Sequence, residues 1–141
     1  MIVLDTNVLS EPLKPAPAQA VLDWLDAQAP QTLYLSTIGL AELLAGVQAL
    51  PAGKRRSALR QAVAEQVLPL FAGRVLPFDE RAAEAFADVH ASAKKAGNPI
   101  SFADCAIAAI AAANACMVAT RNGSDFKGTG VTVIDPWTQA A

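Results

Sequence analysis

Four of the thirteen acidic residues in this chain fall at the ends of its apolar segments, where a carboxylate can meet a substrate. Asp5 ends the unalternating run Ile2-Val3-Leu4, and Glu42 lies in the first turns of a helix opening near Ser36-Thr37. Asp104 lies in the first turn of an alanine-rich helix, and Asp125 follows the polar loop Thr120-Arg121-Asn122-Gly123. Each also has an ordinary structural explanation. Asp5, Thr6 and Asn7 are all good capping and turn residues. Ser101-Phe102-Ala103-Asp104 fits a capping box. Glu42 would gain ~0.3–1 kcal/mol from the helix dipole, and Asp125 can simply shape a turn. These separate explanations leave the shared position unaddressed. In a parallel sheet, strand ends and the helix starts that follow them lie on one rim, where ligands bind.

Carboxylates gathered on one rim repel one another, and burial sharpens the repulsion. A divalent cation relieves it. An all-oxygen donor set without Cys or His selects a hard ion, Mg²⁺ or Mn²⁺, and Mg²⁺ usually keeps several waters while taking one or two carboxylates directly. The reaction that suits such a site is in-line attack of water on a phosphodiester, with metal ions activating the water and neutralising charge on the phosphate.

Other centres are poorly supplied. The single histidine, His90, sits in a helical stretch and offers neither a zinc site nor a Ser-His-Asp triad. Cys105 and Cys116 are too few for a disulfide framework, lack metal-ligand spacing and read as small buried hydrophobes. Asp23, Asp26, Glu65, Glu80, Glu84 and Asp88 fall on polar helix faces, and Asp79 reads as a cap. Glu11, six residues past Asp5, has no assigned role from sequence.

The elements that must position these acids follow from periodicity and breakers. Ile2-Val3-Leu4 suits a strand covered on both faces. Val8 to Pro12 reads as a short helical turn stopped by the proline-rich run from Pro12 to Pro17. Ala18, Val21, Leu22 and Leu25 recur at helical spacing until Pro30, and Thr32 to Leu35 is a second strand. Ser36 or Thr37 caps a helix from Ile38 to about Leu50. After the turn Pro51-Ala52-Gly53, Lys54 opens a helix whose buried stripe is Leu59, Val63, Val67 and Leu70. Gly73 breaks it before a brief third strand, Arg74 to Pro77. Asp79 caps a helix to about Ala96, with Ala82, Phe86, Val89 and Ala93 inward. Gly97-Asn98-Pro99 is a loop, and Ser101 starts the alanine-rich helix through Asn114. A fourth strand, Cys116 to Ala119, and a fifth, Val131 to Ile134, precede Pro136-Trp137. Strands alternating with helices predict right-handed crossovers in a three-layer α/β/α fold with a mainly parallel central sheet, one domain over residues 1–141.

Composition agrees with a packed domain: 53% of residues are hydrophobic and 17% charged, which argues against disorder. No apolar run is long enough to span a bilayer, and the N-terminus lacks the basic region of a signal peptide, so a cytoplasmic location is expected with no membrane partner. A net charge of −2 neither points to nucleic acid nor argues against it, because local patches decide contacts. Lys54, Arg55, Arg56 and Arg60 share one helix but read first as a solvated face.

Ile2-Val3-Leu4-Asp5-Thr6-Asn7-Val8-Leu9-Ser10-Glu11 resembles the opening of PIN-domain ribonucleases, specifically the VapC toxins of bacterial toxin–antitoxin pairs. Further matches are Ser36-Thr37-Ile38-Gly39 through Ala41-Glu42-Leu43 and Gly46, then Pro99-Ile100 through Asp104 and Ile107-Ala108-Ala109. Thr120-Arg121-Asn122, Asp125-Phe126 and Pro136-Trp137 complete a pattern similar to the FitB-like branch. The set runs in order over nearly the whole chain. Leu40, standing where a polar residue would be tolerated, leaves the neighbouring acid in place.

The resemblance implies a metal-dependent endoribonuclease acting as a toxin on single-stranded or loop RNA. By position, Asp5 and Asp104 would be the principal metal ligands, and Glu42 would complete the acidic cluster. Asp125 falls at a position that varies within the family. Thr6 and Asn7 would orient Asp5, Thr120 and Asn122 would line the same rim, and Arg121 would contact a phosphate or remain a surface arginine. The resemblance also implies a VapB-like antitoxin partner, a homodimer, and DNA contact only through the antitoxin. Two other classes stay open: a catalytically silent PIN-fold binding module in a DNA-binding complex, and an acid-pocket phosphotransfer domain with Asp5 phosphorylated. Against the latter, Asn7 stands where the dehalogenase-type phosphatase pattern needs an acid.

Overall fold

A computed structural model describes residues 1–138. Its centre is a five-stranded, wholly parallel sheet in the order β3-β2-β1-β4-β5. The strands are β1 (Ile2–Leu4), β2 (Leu33–Ser36), β3 (Val75–Leu76), β4 (Met117–Ala119) and β5 (Val133–Ile134). Successive side chains of a strand face opposite ways, and both faces here are covered. Ile2 and Leu4 join one apolar cluster with Leu33, Leu35 and Ala119, while Val3 joins Val118 in another. That two-sided burial is why β1 is an unbroken apolar run rather than an alternating one.

Short α1 (Thr6–Ser10), α2 (Gln19–Asp26), α3 (Thr37–Gln48) and the helical stretch from Lys54 cover the first face, through Val8, Val21, Leu43, Val47 and Val63. The packed pair α6 (Glu80–Lys95) and α7 (Phe102–Ala113) covers the second, with Val89, Cys105, Ile107 and Ala108 inward. Both cysteines are buried and unpaired, as their types suggested. The alanines of α7 explain its depth: Cys105 through Ala111 are all buried, because small side chains let the helix lie close to the sheet. Among the described residues, no helix is long and apolar enough to cross a membrane.

One expectation from the sequence fails. The helix from Lys54 does not run evenly to Leu70. It divides into α4 (Lys54–Ala62), a π-helical turn (Val63–Val67) and α5 (Leu68–Leu70). Pro69 lacks an N–H and its ring crowds the carbonyl four residues back, so the hydrogen-bond register slips by one residue. The wider turn rotates Leu70 off the buried stripe, and it ends 55% exposed while Val63 and Val67 stay inside.

Candidate active site

The connection from β1 runs to β2 on one side, while β4 pairs with β1 on the other, so the strand order reverses between β1 and β4. Ligands in open α/β sheets bind in the crevice beyond the strand ends at such a reversal. Asp5 follows β1 and Thr120 follows β4. The Asp5 backbone N–H donates to the Ala119 carbonyl at 2.9 Å, tying the two strand ends together.

Asp5 is only 6% exposed, yet it is surrounded by donors. Its Oδ1 accepts from the Thr6 backbone N–H at 2.8 Å, and its Oδ2 accepts from the Thr120 hydroxyl at 2.8 Å and the Asn7 amide at 3.4 Å. The direction of the Thr120 bond is forced. Its Oγ1 already accepts from Asn122 N–H at 3.1 Å and Asn7 Nδ2 at 3.3 Å, which leaves its hydrogen for Asp5. Asn7 is likewise oriented, because its Oδ1 accepts the Arg121 N–H at 3.2 Å and its amide nitrogen must turn the other way. A pocket made only of donors suits an ionised carboxylate. Burial opposes ionisation more strongly: it pushes the Asp5 carboxyl above the usual carboxylate range despite the lowering bonds from Thr120 and Thr6, and the charges of Glu42 and Asp125 push the same way.

The other three acids approach from different elements. Ser36 caps α3, accepting Gly39 N–H at 2.9 Å, and so fixes where Glu42 emerges. The Glu42 carboxylate is exposed and accepts from the Thr6 hydroxyl at 2.8 Å. Ser101 caps α7 by accepting Asp104 N–H at 3.2 Å. The reverse half of a capping box, Ser101 N–H to the Asp104 carboxylate, is not formed. Asp104 is therefore not consumed by capping. Burial and then the Asp5 and Asp125 charges raise its carboxyl above the usual range, partly opposed by the Ser101 hydroxyl. Asp125 lies on the exposed 3₁₀ turn Gly123–Phe126, and its charge is felt at both Asp5 and Asp104.

The four acids thus share one electrostatic site, but it is loose. Among the described residues, no three His, Cys, Asp or Glu side chains stand close enough to cage an ion by themselves. The donor set still fits a hard divalent cation: all ligands are oxygens, and two carboxylates are held above their usual pKa by burial and mutual repulsion. Mg²⁺, which keeps several waters, does not need a closed protein cage. A separate cavity of about 640 Å³ opens between α1, α2 and α5. It is lined mainly by apolar groups such as Leu9, Leu22, Leu25 and Phe71, and none of the four acids reaches it.

Several participants carried little or no local signal. Gly39 lets α3 approach β1 and α1; a methyl there would stand 3.3 Å from Ser36 Oγ and 3.7 Å from Thr6 Oγ1. Trp137 lies under the Arg121 guanidinium, 5.0 Å from ring centroid to Cζ. Glu11 is buried, paired to Lys14 Nζ at 2.9 Å and accepting Ala18 N–H at 3.3 Å, so its present bonds hold the α1–α2 connection. Asp79 is the cap its sequence suggested, accepting Ala82 N–H at 3.0 Å.

A PIN-domain family profile matches residues 2–131. The VapC ribonuclease Y4jK of Sinorhizobium fredii is 53% identical over 140 residues, covering 99% of this chain and all of that protein. The toxin FitB of Neisseria gonorrhoeae is 46% identical over 137 residues, 97% of this chain and 99% of that protein. Among solved structures, FitAB bound to the IR36 DNA fragment superposes with a TM-score of 0.95 at 44% identity, over all of this chain and 99% of that one. With strand order, donor-lined Asp5 and near full-length likeness in agreement, the chain belongs to the PIN-domain family, in the group that holds these VapC and FitB proteins.

Proposed function

We propose that this protein is a divalent-metal-dependent endoribonuclease serving as the toxin of a toxin–antitoxin pair. The observation that carries the reading is the buried Asp5 in its all-donor pocket at the β1–β4 reversal, with the charges of Glu42 and Asp125 on it and its own charge on Asp104. Mg²⁺ or Mn²⁺ would be held by Asp5 and Asp104, with Glu42 and Asp125 completing the acidic shell. When bound, the ion supplies an activated water and offsets charge on the attacked phosphate.

The chain's own residues do the rest. Thr120, Thr6 and Asn7 aim Asp5 by donating to both of its oxygens, and the Thr120 and Thr6 bonds oppose the upward push of burial on its carboxyl. Thr6 also links Asp5 to Glu42, so the two carboxylates move together. Asn122 and Arg121 line the mouth, where an RNA strand would pass. By likeness to FitAB, the chain would pair with a VapB-like antitoxin, reach DNA only through it, form a homodimer and act in the cytoplasm.

The test is cleavage of single-stranded RNA with Mg²⁺ by wild-type, Asp5→Asn and Asp104→Asn protein. Cleavage should vanish in both variants while their circular dichroism stays native. Unchanged cleavage in both would sink the assignment. Expression without the antitoxin should arrest growth in wild type and not in Asp5→Asn. Absence of toxicity in both would favour a silent binding module.

A further inference from the structure

The rim is acidic, and a polyanion must still be drawn to it. Arg121 is tied to the site's own network through its backbone N–H, which donates to Asn7 Oδ1 at 3.2 Å. It is exposed and forms no ion pair within the described residues, although four acids share its rim. Its guanidinium lies instead over Trp137. Trp137 is itself fixed, since its backbone N–H donates to Asp135 Oδ1 at 2.9 Å, its ring packs against the first apolar cluster and Pro136 before it is buried. The contact places the guanidinium carbon over the indole ring and, among the described residues, leaves its N–H donors out of any ion pair, so they remain available to two oxygens of a phosphate.

We propose that Trp137 holds Arg121 as a preformed fork for a phosphate of the RNA strand. This rests on the nuclease reading above. Arg121 is then a substrate-binding residue and Trp137 a positioning residue. Prestacking removes rotamer freedom that a lone surface arginine would lose on binding.

The test uses full-length protein carrying Asp5→Asn, so that RNA is not consumed, and a fluorescent single-stranded RNA without metal over a range of salt. Arg121→Ala should weaken binding by about tenfold and flatten the salt dependence by about 0.7 in log–log slope, as for one lost phosphate contact on a single strand. Trp137→Ala should weaken it by about two- to fivefold, the value of an exposed cation–π contact. Trp137→Phe should recover most of that loss, which also separates stacking from a general folding defect. Arg121→Lys should retain the salt slope but not the affinity. With Asp5 restored, Arg121→Ala should raise KM far more than it lowers kcat.

Wild-type affinity and slope in Arg121→Ala would overturn the fork. So would a normal slope and affinity accompanied by weakened antitoxin binding, which would assign the pair to the protein partner. Equal losses in Trp137→Ala and Trp137→Phe would overturn the stacking role. Arg121-dependent RNA binding by a protein that never cleaves RNA would remove the nuclease reading and leave the fork standing.

Discussion

Thr120→Val removes one hydroxyl from the centre of the site and keeps the side-chain shape. Thr120 is wholly buried, so no water takes the hydroxyl's place. Two accepted bonds are lost, but Asn122 is exposed and its N–H can turn to solvent. The loss without replacement is the 2.8 Å donation to Asp5. A hydrogen bond to an ionised group contributes about 1.5–3 kcal/mol, and the added methyl returns about 0.8 kcal/mol. The net cost is about 1–2 kcal/mol, or about 3–7 °C in Tm for a domain of this size. Its pH dependence is the diagnostic part. The folded Asp5 carboxyl titrates above its unfolded value because burial outweighs the donors. Between those two values the folded state binds more protons, so stability falls as pH rises through the window. The Thr120 bond lowers the folded value and narrows the window; its loss widens it. The deficit of Thr120→Val should therefore be full at a pH above the folded Asp5 value and nearly gone at a pH below the unfolded one, where Asp5 is protonated in both proteins. Urea unfolding in EDTA at both pH values measures it. An equal deficit at both, or none at the higher, would refute the claim that the hydroxyl acts through the charge of Asp5.

Mg²⁺ should raise the Tm of the wild type and not that of Asp104→Asn, and in EDTA the variant should flatten the fall in stability with rising pH, since the Asp104 carboxyl is also raised. Thermal melts with and without Mg²⁺ check both. Glu11→Gln breaks a pair whose carboxyl is held below the usual range, first by Lys14. It should cost about 1 kcal/mol above the ordinary carboxylate range, discounted for the half-exposed lysine, and cost little once pH falls through the folded Glu11 value. Gly39→Ala gains about 1 kcal/mol of helix propensity but puts a methyl 3.3 Å from Ser36 Oγ. Tm should move by only a few degrees (about 1 kcal/mol at most) while cleavage drops several-fold, because Thr6 and Glu42 are displaced; an unchanged kcat would show that their linkage is dispensable.

Local patterns carried a great deal. The unalternating Ile2-Val3-Leu4 run identified a strand buried on both faces, and the breakers Pro30, Gly73 and Gly97 bounded elements close to where they end. The caps Ser36, Asp79 and Ser101 bond as their types predict. Strand–helix alternation then put Asp5, Glu42, Asp104 and Asp125 on one rim, a result of topology that needs no side-chain detail. These features are legible because they depend on periods of two and of 3.6, on missing N–H groups and on residues a few positions apart.

What only the tertiary structure decided depends on groups far apart in the chain or on packing that competes with local preference. Leu70 matched the helical stripe and still faces solvent, because the slip forced by Pro69 rotates it outward. Glu11 was ambiguous in sequence and is buried against Lys14 and Ala18, since the Pro-rich turn folds back over it. Thr120 and Asp5 lie 115 positions apart, and no spacing encodes that one hydroxyl has both lone pairs filled and must donate to that carboxylate. The same is true of Arg121 over Trp137. The sequence alone determined which acids meet at the strand ends, because sheet topology delivers them there. The three-dimensional arrangement of donors decided which of them has burial partly offset by hydrogen bonds, because that balance is set by neighbours the chain brings together only when folded.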